Sequence, residues 1–218
     1  MPASGDSPRF GEEILAKILM LTGEFTEEYE IFVFQQGMEA VGHTVHVVCP
    51  DKKAGEKIQT SLHDFEGHQT YTEKYGHLAD INKTFSEVRP EQYDAVYCAG
   101  GRGPEYIRTD PRVQAMVRHF HEAGKPIFTI CHGVQILVAV DGVVKGKRVA
   151  ALGACEPEVR LAGGTYVDLS PTESLIDGTM VSAKGWTALA AFMRECLKVL
   201  GTEIRHGKVR APEATAAE

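Results

Sequence analysis

The chain has 218 residues, 43% hydrophobic and 24% charged, with a formal net charge of -7. That length supports one domain whose core needs no disulfides, and a negative balance with scattered Lys and Arg argues against a nucleic-acid backbone as partner. Five widely spaced cysteines without a C-x-x-C pair argue against a disulfide framework or a zinc knuckle and favour a reducing compartment.

Residues 1–12 are small and polar and read as a loose leader without the apolar region of a secretory signal. The continuous apolar run "KILMLT" (17–22) predicts a strand. Apolar residues at helical spacing come next over 27–42, with Gly42 as the stop, and "HTVHVVCP" (43–50) predicts a second strand. The segment 51–86 breaks this rhythm: its alternation around Glu66-Gly67 predicts a β-hairpin insertion. "DAVYCAGG" (94–101) reads as a buried strand ending in two glycines. A helix over 110–124 is signalled by Asp110 as N-cap and Pro111 at the first position. "PIFTI" (126–130) is the next strand, succeeded by a helix over 134–142. A strand over 147–152, a short helix over 156–164, short strands within 165–183 and an amphipathic helix over 186–201 complete the pattern. A single domain is therefore expected over 13–204, with a frayed tail at 205–218. No apolar run approaches a membrane span, and a cytoplasmic location is expected.

Strands alternating with helices imply an α/β fold, a mostly parallel sheet with helices on both faces. Chemistry in such folds gathers beyond the carboxyl ends of the strands, here residues 23–28, 99–105 and 131–133. At the last of these, Thr129-Ile130-Cys131-His132-Gly133 has the layout of a nucleophile elbow with cysteine at its apex. A helix starting behind the sulfur would favour an anion there and lower the thiol pKa. Cys49, Cys98 and Cys196 lie in apolar or helical runs and read as packing residues; Cys155, at a strand end, borders the site at most. His132 is placed to give or take a proton. The backbone amides of Gly101 and His132 suit an oxyanion hole. Glu24, Glu27, Glu28 and Glu30 crowd a helix start, where most carboxylates cap or solvate the helix and one or two face inward. An inward carboxyl against Cys131 would have to share a proton with it. His63, His68 and His77, with Asp64 and Glu66, match no metal-ligand spacing, and no metal is expected.

The motifs "LTGEFTEEYE", "AGGRGPEYIR", "GKPIFTICHGVQIL" and "DGTMVSAKG" resemble the ThiJ/PfpI superfamily, to which the Parkinsonism-associated deglycase belongs, over about residues 16–203. The stretch "HTVHVVCPDKKAG" with "HDFEGHQTY" is similar to the plant glutathione-independent glyoxalases of that superfamily and less like the shorter PfpI-type intracellular proteases. The resemblance implies a flavodoxin-like sandwich. It implies Cys131 as nucleophile, Glu27 as the glutamate whose protonated carboxyl donates to the thiolate, and His132 as the histidine next to the nucleophile. It further implies Gly101 and His132 as backbone donors, and Glu105 as a glutamate that approaches the histidine across a subunit interface. Ala99 and Val134 stand where relatives commonly carry proline.

Three functions are consistent with these residues. The first is a cofactor-independent glyoxalase that turns methylglyoxal or glyoxal into lactate or glycolate through a Cys131 hemithioacetal, with deglycase action on early glycation adducts as an extension. The second is a PfpI-type cysteine peptidase or amidase. The third is a redox sensor or chaperone without turnover, since an exposed thiolate oxidises readily. None needs a metal, glutathione or a nicotinamide, and no G-x-G-x-x-G comes after the first strand. A small aldehyde or dicarbonyl and further copies of the chain, as dimer, trimer or hexamer, are the expected partners.

Overall fold

The computed structural model describes residues 15–205; the leader at 1–12 and residues 206–218 of the expected tail lie outside it. In chain order the elements are β1 (Lys17–Leu21), β2 (Thr26–Glu27), α1 (Glu28–Ala40), β3 (Thr44–Val48), β4 (Lys57–Asp64), β5 (Thr72–Asp80) and β6 (Ala95–Cys98). They continue with α2 (Gly103–Ile107), α3 (Pro111–Glu122), β7 (Ile127–Ile130), α4 (Val134–Val138), β8 (Arg148–Val149) and α5 (Glu156–Leu161). The last are β9 (Thr165–Tyr166), β10 (Ser174–Asp177), β11 (Met180–Ala183) and α6 (Leu189–Val199).

Six strands form the central sheet in the order β10-β11-β7-β6-β1-β3. All neighbours pair in parallel except β10 and β11, which are antiparallel. Strand alternation divides β1 between two cores. Leu19 and Leu21 join the α3 residues Val113, Met116, Val117 and Phe120 on one face. Ile18 and Met20 join Ile31, Phe34 and Met38 of α1 and Phe192 and Cys196 of α6 on the other. This is the flavodoxin-like α/β sandwich expected. Among the described residues no helix is long and apolar enough to cross a membrane.

The hairpin insertion is present as β4 and β5, paired antiparallel from Lys57↔Asp80 to Asp64↔Thr72. It joins the body through a short parallel pairing of β2 with β4, which makes a separate three-stranded sheet. Asp110 caps α3 through its side chain, which accepts from the Arg112 amide at 2.8 Å, and Pro111 opens the helix.

Three elements differ from the sequence reading. Residues 103–107 form α2, a helix that the sequence reading did not include; Pro104 lies in its first turn, where a missing N–H costs nothing. The helix expected over 134–142 ends at Val138, and the chain turns through Gly142 at a φ of 83°. The strand expected over 147–152 shrinks to β8, which pairs with β9 outside the main sheet. Both short elements lie on the α3 side, where packing against Val140, Val143 and Val144 takes precedence over local preference.

Phe34 ties α1 to the central sheet. Its ring stacks on Tyr97 of β6 at 3.9 Å and lies 6.0 Å from Phe192, and the Tyr97 hydroxyl donates to the Glu30 carbonyl at 3.0 Å. Truncating Phe34 to Ala is expected to cost about 3 to 5 kcal/mol in urea unfolding; a loss below about 1 kcal/mol would show that this aromatic cluster is not what anchors α1.

Candidate active site

Three parallel strands, β1, β6 and β7, end side by side, and the loops that leave them converge. Ile130 closes β7 in an extended conformation, and Cys131 then adopts a φ of 57°. This left-handed backbone is costly for a residue with a Cβ. Glycines make room for it. A side chain on Gly133 would overlap the Cys98 carbonyl oxygen, and one on Gly100 would sit 2.6 Å from the Cys131 Cβ and 2.7 Å from Glu30 Oε2. The elbow predicted from sequence is thus present, packed against the Gly100-Gly101 turn that ends β6.

The carboxyl against the sulfur is Glu30's, not Glu27's. Glu30 is fully buried; its Oε2 accepts from the Gly100 amide at 2.6 Å, and its carboxyl is the charge that acts most strongly on the Cys131 thiol. Glu27 is also buried but serves as the N-cap of α1, its Oε2 accepting from the Glu30 amide at 2.9 Å. The geometry that the resemblance implied for Glu27 therefore falls to Glu30. Glu24 and Glu28 face outward, to Lys52 and to His77.

Burial shifts both inner carboxyls toward their neutral forms. Burial raises Glu27 to about 7, and burial together with the Glu27 charge pushes Glu30 well above the carboxylate range. The Oε1 atoms of both residues lack a hydrogen-bond partner among the described residues, which again favours the uncharged acid. Burial and a charged Glu30 push the Cys131 thiol up, while the amides of Gly101 and His132 pull it down. The elevated thiol differs from the lowered one expected from the helix behind it. Helix α4 has only five residues and a correspondingly small dipole. Cys131 and Glu30 together carry at most one negative charge; when it falls on the sulfur and Glu30 keeps its proton, the amides of Gly101 and His132 are the groups that stabilise it.

His132 is buried, with Nδ1 3.5 Å from the sulfur. Burial, then the charge of His63, lowers its pKa to about 4, so its imidazole is neutral at neutral pH and free to accept a proton. The backbone amides of Gly101 and His132 both act on the Cys131 sulfur, favouring its anion. Glu105 stands exposed on α2, outside the cluster of Cys131, Glu30 and His132.

The sequence reading missed a second group, carried by the hairpin. The Tyr71 ring lies edge-on to His132 at 5.5 Å, and His63 lies edge-on to Tyr71 at 4.8 Å. His63 Nε2 pairs with Glu73 Oε2 at 2.8 Å, and Arg102 Nε donates to the same oxygen at 2.7 Å. The available signal was the alternation of β4, which turns Ser61 and His63 inward together. His77 pairs instead with Glu28. Among the described residues, no group of three or more His, Cys, Asp or Glu side chains is arranged to hold a metal ion.

The model of the DJ-1/PfpI family matches residues 16–199. Protein DJ-1 homolog D of Arabidopsis thaliana is 40% identical over 188 residues, covering 86% of this chain and 48% of the plant protein. The chain thus spans about half the length of that relative. A deglycase of Thermococcus kodakarensis is 35% identical over 184 residues, covering 84% of this chain and 99% of its own. The crystal structure of a ThiJ/PfpI domain protein from Brachyspira murdochii has the same fold, with a TM-score of 0.72 at 23% identity, over 88% of this chain and 98% of that one.

The two shifted pKa values have opposite consequences for stability. Glu27 titrates at about 7 rather than 4.5, so the native state binds the extra proton between those values and loses stability as pH rises through them. His132 titrates at about 4 rather than 6.5, so the native state binds fewer protons there and loses stability as pH falls. Relative to the wild type, urea midpoints of Glu27→Gln should tilt upward with pH across this window and those of His132→Asn downward. Parallel profiles in the two variants would contradict these assignments.

Proposed function

The chain belongs to the DJ-1/PfpI family, and on that premise we propose that it is a cofactor-independent enzyme acting on reactive dicarbonyls. It converts methylglyoxal or glyoxal to lactate or glycolate and removes early glycation adducts by the same thiolate. The observation that carries this reading is the convergence on one sulfur of a buried acid, a neutral imidazole at 3.5 Å and two backbone amides. The archaeal relative named as a deglycase supports the adduct chemistry.

The reaction is set by where the protons sit. With Glu30 protonated, the Cys131 thiolate adds to the aldehyde carbon and a C–S bond forms. Negative charge moves from sulfur to the carbonyl oxygen, and the amides of Gly101 and His132 that held the first hold the second. Once protonated, this is a hemithioacetal. His132, neutral, removes the proton from the carbon bearing sulfur and returns it to the neighbouring carbon through an enediol. The product is a thioester of the 2-hydroxy acid. Water cleaves it, releasing the acid and restoring the thiol. For an amine adduct, attack on the same carbon expels the amine.

Cys131 and His132 are both buried, which favours a small carbonyl over the extended polypeptide a peptidase must seat. Assembly with further copies, in which Glu105 of one approaches His132 of another, and a cytoplasmic location belong to the same proposal.

Purified protein is expected to turn over methylglyoxal repeatedly without glutathione, as lactate formation will register, and Cys131→Ser to abolish it with an unchanged circular dichroism spectrum. Glu30→Gln should lower kcat about 100-fold, Glu27→Gln by less than about tenfold, since a cap acceptor is retained. Equal losses in the two glutamate variants would remove the distinction between them; a single stoichiometric oxidation without turnover would favour a sensor.

A further inference from the structure

The hairpin insertion is more than a decoration on the sandwich, because its inner face closes over the site. We propose that β4, β5 and their connecting turn form the substrate-selecting wall, with the Tyr71 ring as the surface that meets the non-reacting substituent of a 2-oxoaldehyde. In the same proposal, the chain Arg102–Glu73–His63 is the strut that fixes the ring. This rests on the dicarbonyl reading above and names the part of the substrate that the fold discriminates.

Four observations carry it. Tyr71 stands one ring away from the reacting sulfur: it packs edge-on against His132, whose Nδ1 is 3.5 Å from Cys131 Sγ. Tyr71 is half-buried, and its hydroxyl has no hydrogen-bond partner among the described residues. An aromatic ring so placed offers a flat apolar face with a polar tip, as small-ligand sites commonly use. Its phenol is kept from ionising, first by burial and then by the Cys131 charge.

The ring is also held firmly from behind. His63, only 4% exposed, packs edge-on against it. The His63 imidazole is gripped by Glu73, with Ser61 Oγ at 3.3 Å, while the His63 carbonyl accepts from the Trp186 indole at 2.9 Å. Glu73 is tied in turn to Arg102, whose guanidinium lies over the Phe25 ring at 4.6 Å. Arg102 comes directly after the Gly100-Gly101 turn that supplies a backbone donor, so the wall and the reacting centre share one anchor. A ring braced in this way selects by size: a methyl substituent fits beneath it and an aryl group meets it.

Two measurements test this. The first compares kcat/KM for methylglyoxal and phenylglyoxal in the wild type, Tyr71→Ala, Tyr71→Phe and Glu73→Gln. The ratio should shift about tenfold toward phenylglyoxal in Tyr71→Ala, stay at the wild-type value in Tyr71→Phe, which keeps the ring, and shift partway in Glu73→Gln, a surface change that frees the strut. The second needs no turnover. Alkylation of Cys131 by a fluorescein maleimide, relative to iodoacetamide, is monitored by mass spectrometry and should accelerate about tenfold in Tyr71→Ala. Unshifted alkylation ratios in Tyr71→Ala overturn the wall, and a Glu73→Gln indistinguishable from wild type in both assays overturns the strut. Turnover of neither aldehyde by the wild type, with shifted alkylation, overturns the dicarbonyl reading while the wall stands.

Discussion

A buried acid and a buried thiol in contact hold at most one negative charge between them, and the structure around residue 131 is organised about that restriction. Neither group has bulk water to stabilise its ionised form, so the proton's position depends on the few dipoles that reach each atom. The Gly100 amide reaches Glu30, and the amides of Gly101 and His132 reach the sulfur. These donors lie in two tight turns at the ends of β6 and β7, where side chains would collide. The glycines therefore matter less for flexibility than for letting main chain come close enough to act as solvent.

The parts of this arrangement differ in how openly the sequence displays them. The elbow is legible because a buried apolar run stops at Cys-His-Gly and helical spacing starts at once. The two glycines after "DAVYCA" are legible for the same reason: punctuation after a buried strand marks a loop at the strand's carboxyl end. The inward glutamate is not. Glu27 and Glu30 are three residues apart, on nearly the same side of a helix, so periodicity cannot separate them. What separates them is depth along the axis, about 4.5 Å for three residues, and that depends on which residue caps α1. With Glu27 at the cap, its carboxylate is spent on the first-turn amides and Glu30 arrives beside Cys131. The helix α2 is hidden by a Gly-Arg-Gly-Pro start, and β8 is curtailed by tertiary packing rather than by any local cue.

Tyr71 illustrates a different kind of concealment. Nothing within "GHQTYTEKYG" distinguishes Tyr71 from Tyr75, yet Tyr71 lies against His132 while Tyr75 stands exposed beside Phe25. Their placement is fixed by the register of β5 on β4 and by the docking of β4 on β2, both of which join segments distant in sequence. A hairpin can be read from alternation; the surface it will cover cannot.

Because β1, β6 and β7 each deliver one loop to the same point, the centre is shared by segments up to about a hundred residues apart, a separation spanned by Glu30 and Cys131. Such long-range pairing is completed late in the collapse of a chain. Until then residue 131 is one ordinary thiol among five, with no acid at its side and no amides aimed at it. The balance of acid and amides that governs its ionisation thus belongs to the finished architecture and is absent from the nascent polypeptide while its strands are still unpaired.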